Sequence, residues 1–258
     1  LDLASPEEIT AELIAALGLK AAAVIDTPAN GHHGGLATPL GTLLREAELA
    51  EGAVIGIGWG RAVREVISAG LPRLAGVNIV PLNGGMQQAA AHFQINEFVR
   101  QAAEQTGGQP HFLHAPYLSS HELRAVFLND PSVRETVGLW DRLDCAIVGV
   151  GLPHSVNPPE ASVAIATEKA FTHAAVGDVI RHYVGIDGRP VAWDGEERMI
   201  AASPEQLRRA RLSIGVAATP EKAAGIIGAV RSGMINAVVT DSATAQAILD
   251  LLSLPEAG

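Results

Sequence analysis

The 258-residue sequence predicts an α/β fold: a Rossmann-like, mainly parallel sheet with helices on both faces and a small β insertion. Short, continuous apolar runs alternate with segments of 3.6-residue periodicity along almost the whole chain. Several runs end in glycine-rich loops, and in such sheets ligands bind outside the carboxyl ends of the strands. Hydrophobic residues make up 48% of the chain, enough for one large core. No repeat, heptad series or low-complexity linker divides it, so residues 1–258 are read as one domain.

The elements follow in order. Ser5-Pro6-Glu7-Glu8 is a helix start, with Ser as N-cap and Pro in the first helical position, and the helix runs to about Leu17-Gly18. Ala21 to Ile25 is a short buried strand. Residues 27–41, rich in Gly, His, Thr and Pro, read as a loop, and a helix near Thr42 to Leu49 leads into the strand Ala53 to Ile57. Val63, Val66 and Ile67 mark the next helix, and Val77 to Leu82 the next strand. A long helix is expected from about Met86 to Gln105, with Ile95, Phe98, Val99 and Ala102 on one face. Pro110 to Leu113 reads as a strand, 119–128 and 132–140 as helical, and Leu143 to Val150 as a buried strand. Residues 151–160 read as loop. Asp178 to Ile186 and Gly188 to Trp193 read as a hairpin about an Asp187-Gly188 turn. Leu212 to Ala217 and Ala237 to Thr240 are strands. Each precedes a helix, lined by Ala223, Ile226, Ile227 and Val230 in the first case and Thr244, Ala247, Ile248 and Leu251 in the second.

Composition narrows the chemistry. Lys and Arg total 18 against 28 Asp and Glu, a formal charge of −10, which makes this chain alone a poor binder of nucleic acid. The single cysteine, Cys145, excludes an intrachain disulfide and reads as a core residue within an apolar strand. No apolar stretch reaches the ~20 residues of a membrane span, and the N-terminus has no signal-peptide pattern. A cytoplasmic location is expected. The chain does not start with Met, and it reads as a piece of something longer.

Four strand ends carry loops suited to a ligand. Gly56-Ile57-Gly58-Trp59-Gly60-Arg61 lets backbone amides approach one closely, the competing reading being a tight turn. It is not a dinucleotide fingerprint, because Arg61 replaces the third glycine and residues 76–83 contain no acid. No Walker loop is present, and no cofactor is expected. Leu82-Asn83-Gly84-Gly85 offers a second place for an anion or sugar hydroxyl against backbone. Gly149-Val150-Gly151, with His154 and Ser155 behind it, is the third. In the fourth, Thr219 reads as N-cap and Pro220 as the first helical residue, which puts Lys222 in the first turn, where a cation opposes the helix dipole. Arg61 is placed likewise. Two such cations at one sheet edge suggest a shared anionic ligand, the competing reading being two solvated side chains. The nine histidines, including His32, His33, His111 and His114, show no zinc spacing and read as structural or surface groups; no metal site is expected. No Gly-x-Ser-x-Gly elbow is present, and Asp144 reads as structural.

Taken in order, these loops resemble the sugar-binding effector domain of SorC/DeoR-type bacterial transcription regulators. The resemblance covers nearly the whole chain. It rests on Ile9 to Ile25, the Gly56 to Val66 segment, Val80 to Gly85, Ala115-Pro116-Tyr117, Asp144 to Gly151, Val176 to Val179, Asp187-Gly188, Lys222-Ala223 and Val238-Val239-Thr240-Asp241 with Ala243-Thr244-Ala245. It implies a NagB/RpiA-like fold that binds a sugar or sugar phosphate and controls oligomeric state, as a homo-dimer or tetramer. It also implies DNA binding through a separate N-terminal helix-turn-helix domain that this chain does not contain. The ligand contacts it implies are Gly58, Trp59, Gly60, Arg61, Asn83, Gly84, Gly85, Gln94, Gly151, Asp178 and Lys222. The sequence departs from members that place an Arg after the Gly149-Val150-Gly151 strand end, which favours a monophosphate or free sugar over a bisphosphate. With Lys20, Lys169 and Lys222 the only lysines, no Schiff base is expected. The alternative is a sugar-phosphate isomerase or deaminase-like enzyme, which shares the architecture; Asp178 is its only candidate base. A pure oligomerisation module would bind no small molecule.

Overall fold

The computed structural model describes residues 4–26, 31–74, 76–86, 90–153 and 174–255. Among them, seven parallel strands form one sheet in the order β1-β9-β8-β5-β2-β3-β4. The strands are β1 (Ala21–Ile25), β2 (Val54–Ile57), β3 (Asn78–Pro81), β4 (Gln109–Pro110), β5 (Leu143–Val148), β8 (Leu212–Val216) and β9 (Ala237–Asp241). A separate antiparallel pair, β6 (Gly177–Val179) and β7 (His182–Val184), is the expected small β insertion.

Side-chain alternation along the strands sorts the core into two clusters, one per sheet face. Val54, Val80, Ala146, Val148 and Val238 face α1 (Pro6–Leu17), α8 (Ala223–Arg231) and α9 (Ser242–Ser253), among others. Ile55, Ile57, Ile79, Ile147 and Val239 face α2 (Ala37–Glu46), α3 (Arg61–Ala69) and α4 (Ile95–Thr106). Each fully buried Leu or Ile contributes roughly 1.5–3 kcal/mol. Cys145 belongs to the second cluster, and burial pushes its thiol up to about 12, as expected of a core residue. The remaining helices are α5 (His121–Asn129), α6 (Pro131–Gly138) and α7 (Pro204–Arg209).

Local signals explain the ends of α1: Ser5 and Glu8 form a reciprocal capping box, and Gly18 closes the helix at φ 66°. Four boundaries differ from the sequence reading. Helix α2 starts at Ala37 rather than Thr42, because Pro39 falls in the first turn, where no intrahelical N–H is required. The long helix expected from Met86 is shorter. A single 3₁₀ turn, Ala91–Phe93, ends at Gln94 in extended conformation, and α4 begins at Ile95. The strand expected at Pro110 to Leu113 is only Gln109–Pro110 at the sheet edge. The insertion turns at Ile180-Arg181 rather than first at Asp187-Gly188, with both residues left-handed at φ 41° and 60°. That is the twist a two-residue hairpin needs, but these residue types do not advertise it. The Asp187-Gly188 turn also exists, with the Gly188 N–H donating to the Gly185 carbonyl at 3.0 Å.

Candidate functional site

A cavity of about 360 Å³ opens at the carboxyl edge of the sheet, within the range of small-molecule sites. Segments following β1, β2, β3, β5 and β8 converge on it, and the β6–β7 hairpin closes one side. Trp59, Gly60, Arg61, Asn83, Gly151, Asp178 and Lys222 line it, as the sequence reading groups them.

Asn83, Trp59 and Asp178 are held by their neighbours. The buried Asn83 side chain accepts a hydrogen bond from the Trp59 backbone N–H at 3.0 Å, which ties the loops after β2 and β3 together. The Trp59 indole N–H donates to the Phe93 carbonyl at 2.6 Å, and the two rings meet edge to face at 4.8 Å. Arg61 is the first residue of α3, is exposed, and has no ion-pair partner among the described residues.

Asp178 lines the same cavity. Gly151 and Asp178 exchange backbone hydrogen bonds, and a Cβ on Gly151 would lie 2.1 Å from Asp178 Oδ1. Glycine is therefore required for the carboxylate to rest there. The Arg181 backbone N–H donates to Asp178 Oδ2 at 3.0 Å. Burial nevertheless holds the Asp178 carboxyl above its ordinary range, against that hydrogen bond and the nearby charges of Arg181, Lys222 and His182. Lys222 is held below its ordinary range by burial, opposed by Asp178 and reinforced by Arg61.

Four expected contacts stand elsewhere. Gly58 lies behind the wall, where a Cβ would meet Ile180 at 3.0 Å and Val148 at 3.1 Å. The Gly84 and Gly85 amides are already taken by the carbonyls of Ile200 and Ala115, so they have no N–H to offer an anion. Gly84 permits close approach instead, since a Cβ would lie 2.4 Å from the Pro116 carbonyl oxygen. Neither glycine opens a helix, because the chain stays non-helical until Ala91 among the described residues. Gln94 donates to the Met86 carbonyl at 3.1 Å and supports the wall from outside. His154 and Ser155 lie outside the described residues.

Thr219 occupies an N-cap position before the short 3₁₀ turn Pro220–Lys222, but its side chain makes no capping bond and its φ is 92°. Lys222 remains at a helix start, as the residue preceding α8.

The sequence reading leaves several lining residues unnoticed. Tyr117 and Arg181 stack as a cation–π pair at 4.9 Å, and the Tyr117 hydroxyl donates to the Ile180 carbonyl at 3.2 Å. Tyr183, Met86, Ile180 and Leu152 add apolar surface. His33 also lines the cavity, where it reads from sequence as structural or surface. Its Nδ1 lies 2.9 Å from Glu65 Oε2, and the same oxygen accepts its backbone N–H. Asp144 is structural as expected, accepting from the Val54 N–H at 2.9 Å.

The site thus combines the cations Arg61 and Lys222, the Asp178 carboxylate and the aromatic side chains of Trp59, Tyr117 and Tyr183 around one cavity. Residues 2–250 match the family model of sugar-binding domains. The chain is 31% identical over 218 residues to the sorbitol operon regulator of Klebsiella pneumoniae, covering 81% of this chain and 69% of that protein. It is 27% identical over 213 residues to the erythritol catabolism regulatory protein EryD of Brucella abortus, covering 80% and 66%. The crystal structure of the full-length sorbitol operon regulator SorC from Klebsiella pneumoniae superposes with a TM-score of 0.85 at 27% identity, covering 96% of this chain and 84% of that one. Among the described residues no helix is long and apolar enough to cross a membrane. The chain belongs to the family of sugar-binding domains found in SorC/DeoR-type bacterial transcription regulators.

Proposed function

We propose that this domain senses a monophosphorylated sugar or sugar alcohol in the carboxyl-edge cavity. Occupancy controls self-association and, through a separate N-terminal helix-turn-helix domain, binding to DNA in the cytoplasm. One observation supports the reading above others: Arg61 and Lys222 line the same 360 Å³ cavity as the Asp178 carboxylate. Cations satisfy a phosphate, a carboxylate accepts from hydroxyls, and aromatic faces cover the sugar carbons. The relatives named for sorbitol and erythritol regulation favour a polyol or sugar skeleton.

The isomerase alternative would employ Asp178 as the base, and its raised pKa suits that task. Against it, the carboxylate is packed on Gly151 and bonded by the Arg181 N–H, an arrangement suited to holding a ligand. A thermal-shift panel of free sugars, sugar alcohols and their monophosphates tests the reading, with a turnover assay on ribose 5-phosphate and glucosamine 6-phosphate alongside. Selective stabilisation without turnover is expected. Turnover of either phosphate would install the enzyme reading, and a panel without any stabilisation would leave an oligomerisation module.

A further inference from the structure

His33 lines the cavity, and its buried Nε2 has no hydrogen-bond partner among the described residues. The residue is only 5% exposed. Unpaired buried polar atoms are rare, and in a site they mark a place for a ligand. The other side of the ring is fixed, since Glu65 Oε2 engages both Nδ1 and the backbone N–H of His33. Glu65 stands one helical turn after Arg61 on α3, so a single helix supplies both the cation and the group that holds the imidazole.

The charged groups acting on the ring come from two elements: Glu65 and Arg61 from α3, and Lys222 from the segment after β8. We infer that His33 contacts the effector: Nε2, Arg61 and Lys222 form one corner that takes a phosphate monoester, and Glu65 is the positioning residue that presents the ring. The inference rests on the sugar-phosphate reading above. Burial holds the imidazole below its ordinary 6.5; Lys222 and Arg61 add to this, while Glu65 opposes it. A bound dianion reverses the effect of the two cations, and the Glu65 carboxylate stabilises the imidazolium. Nε2–H then donates a charge-assisted bond to a phosphate oxygen. Phosphate binding thus draws a proton onto His33, and affinity rises as the pH falls until the ligand's own second ionisation, at about 6, removes the dianion.

The test titrates the 258-residue chain with inorganic phosphate against chloride of equal ionic strength. Imidazole ¹⁵N shifts and thermal stability are followed, with His33→Gln identifying the His33 signals. The His33 signals of the wild type should move toward imidazolium values. His33→Gln should bind phosphate about tenfold more weakly and lose most of the affinity gain on acidification, the remainder reporting Lys222. Glu65→Gln keeps the ring but removes its support, and it should lower phosphate affinity even where His33→Gln does not fold. Phosphate that stabilises the wild type while the His33 signals stay fixed would overturn this inference and leave the proposed function standing. Phosphate without effect on either stability or shifts would overturn both.

Discussion

Between Gly151 and Asp178 there is no room for a methyl group: a Cβ would stand 2.1 Å from Oδ1. Gly151→Ala should therefore displace the carboxylate and lower stability by about 1–3 kcal/mol, as overpacking usually does, and effector affinity should fall with it. Urea unfolding and a ligand titration on the same variant check both effects. His33 makes the stability of the fold depend on pH. Its folded pKa is lowered by burial, so below 6.5 the unfolded chain takes up the proton first. Its contribution is thus lost progressively as the pH falls from 6.5 toward the folded value. Asp178 acts in the opposite sense, because its folded pKa is raised, but it does so equally in a His33 variant. Urea midpoints measured above and below pH 6.5 should fall less in His33→Gln than in the wild type. Equal slopes would show that His33 does not titrate on unfolding.

At the scale of the element, the β6–β7 hairpin shows what the site costs the fold. Ile180 and Arg181 both hold positive φ, uncommon for any non-glycine residue and an outlier for a β-branched one. The turn places Ile180 against Gly58 and Arg181 over Tyr117, and its Arg181 N–H fixes Asp178. Thr219, at φ 92°, is a second such point beside Lys222. Thr219→Gly should relieve the strain and raise stability by about 1 kcal/mol, a Tm gain of roughly 2–4 °C at this chain length. A calorimetric scan that shows a loss would place an unrecognised constraint at that loop. These elements also mark what the sequence makes legible. Strand β5 and helix α1 are readable because an apolar run, broken only by Asp144, and a Ser-Pro helix start are local signals. The Gly58 to Arg61 loop is readable for the same reason, as a glycine-spaced strand-to-helix junction. The Ile180-Arg181 turn has no such residues, and Pro39 reads as a breaker until its place in a first turn is known. His33, Tyr117 and Arg181 reach the cavity from separate segments, and no spacing in the chain encodes their meeting. Gly84 and Gly85 show the converse, a local pattern whose amides tertiary contacts have already used.

For the molecule as a whole, the formal charge of −10 weighs against duplex DNA as a direct ligand of this chain. A gel shift with the isolated chain at physiological salt should show no specific complex. Self-association is the complementary expectation, with a symmetric dimer the simplest closed form, and sedimentation with and without effector checks it. A strict monomer at tens of micromolar in both conditions would contradict the proposed link between effector and assembly. On the proposed reading, one cavity at the sheet edge holds a phosphorylated effector against Lys222 and Asp178. The most direct test is to titrate wild type and Lys222→Ala with the best ligand from the sugar phosphate panel and to measure stability at each concentration. At 100 times Kd the wild type should gain about 2.7 kcal/mol. Lys222→Ala should bind more weakly by roughly 1.5–3 kcal/mol, yet be no less stable without ligand, because it removes a half-buried cation that desolvation disfavours. Equal affinities, or a variant that simply fails to fold, would place Lys222 outside the site and contradict the account.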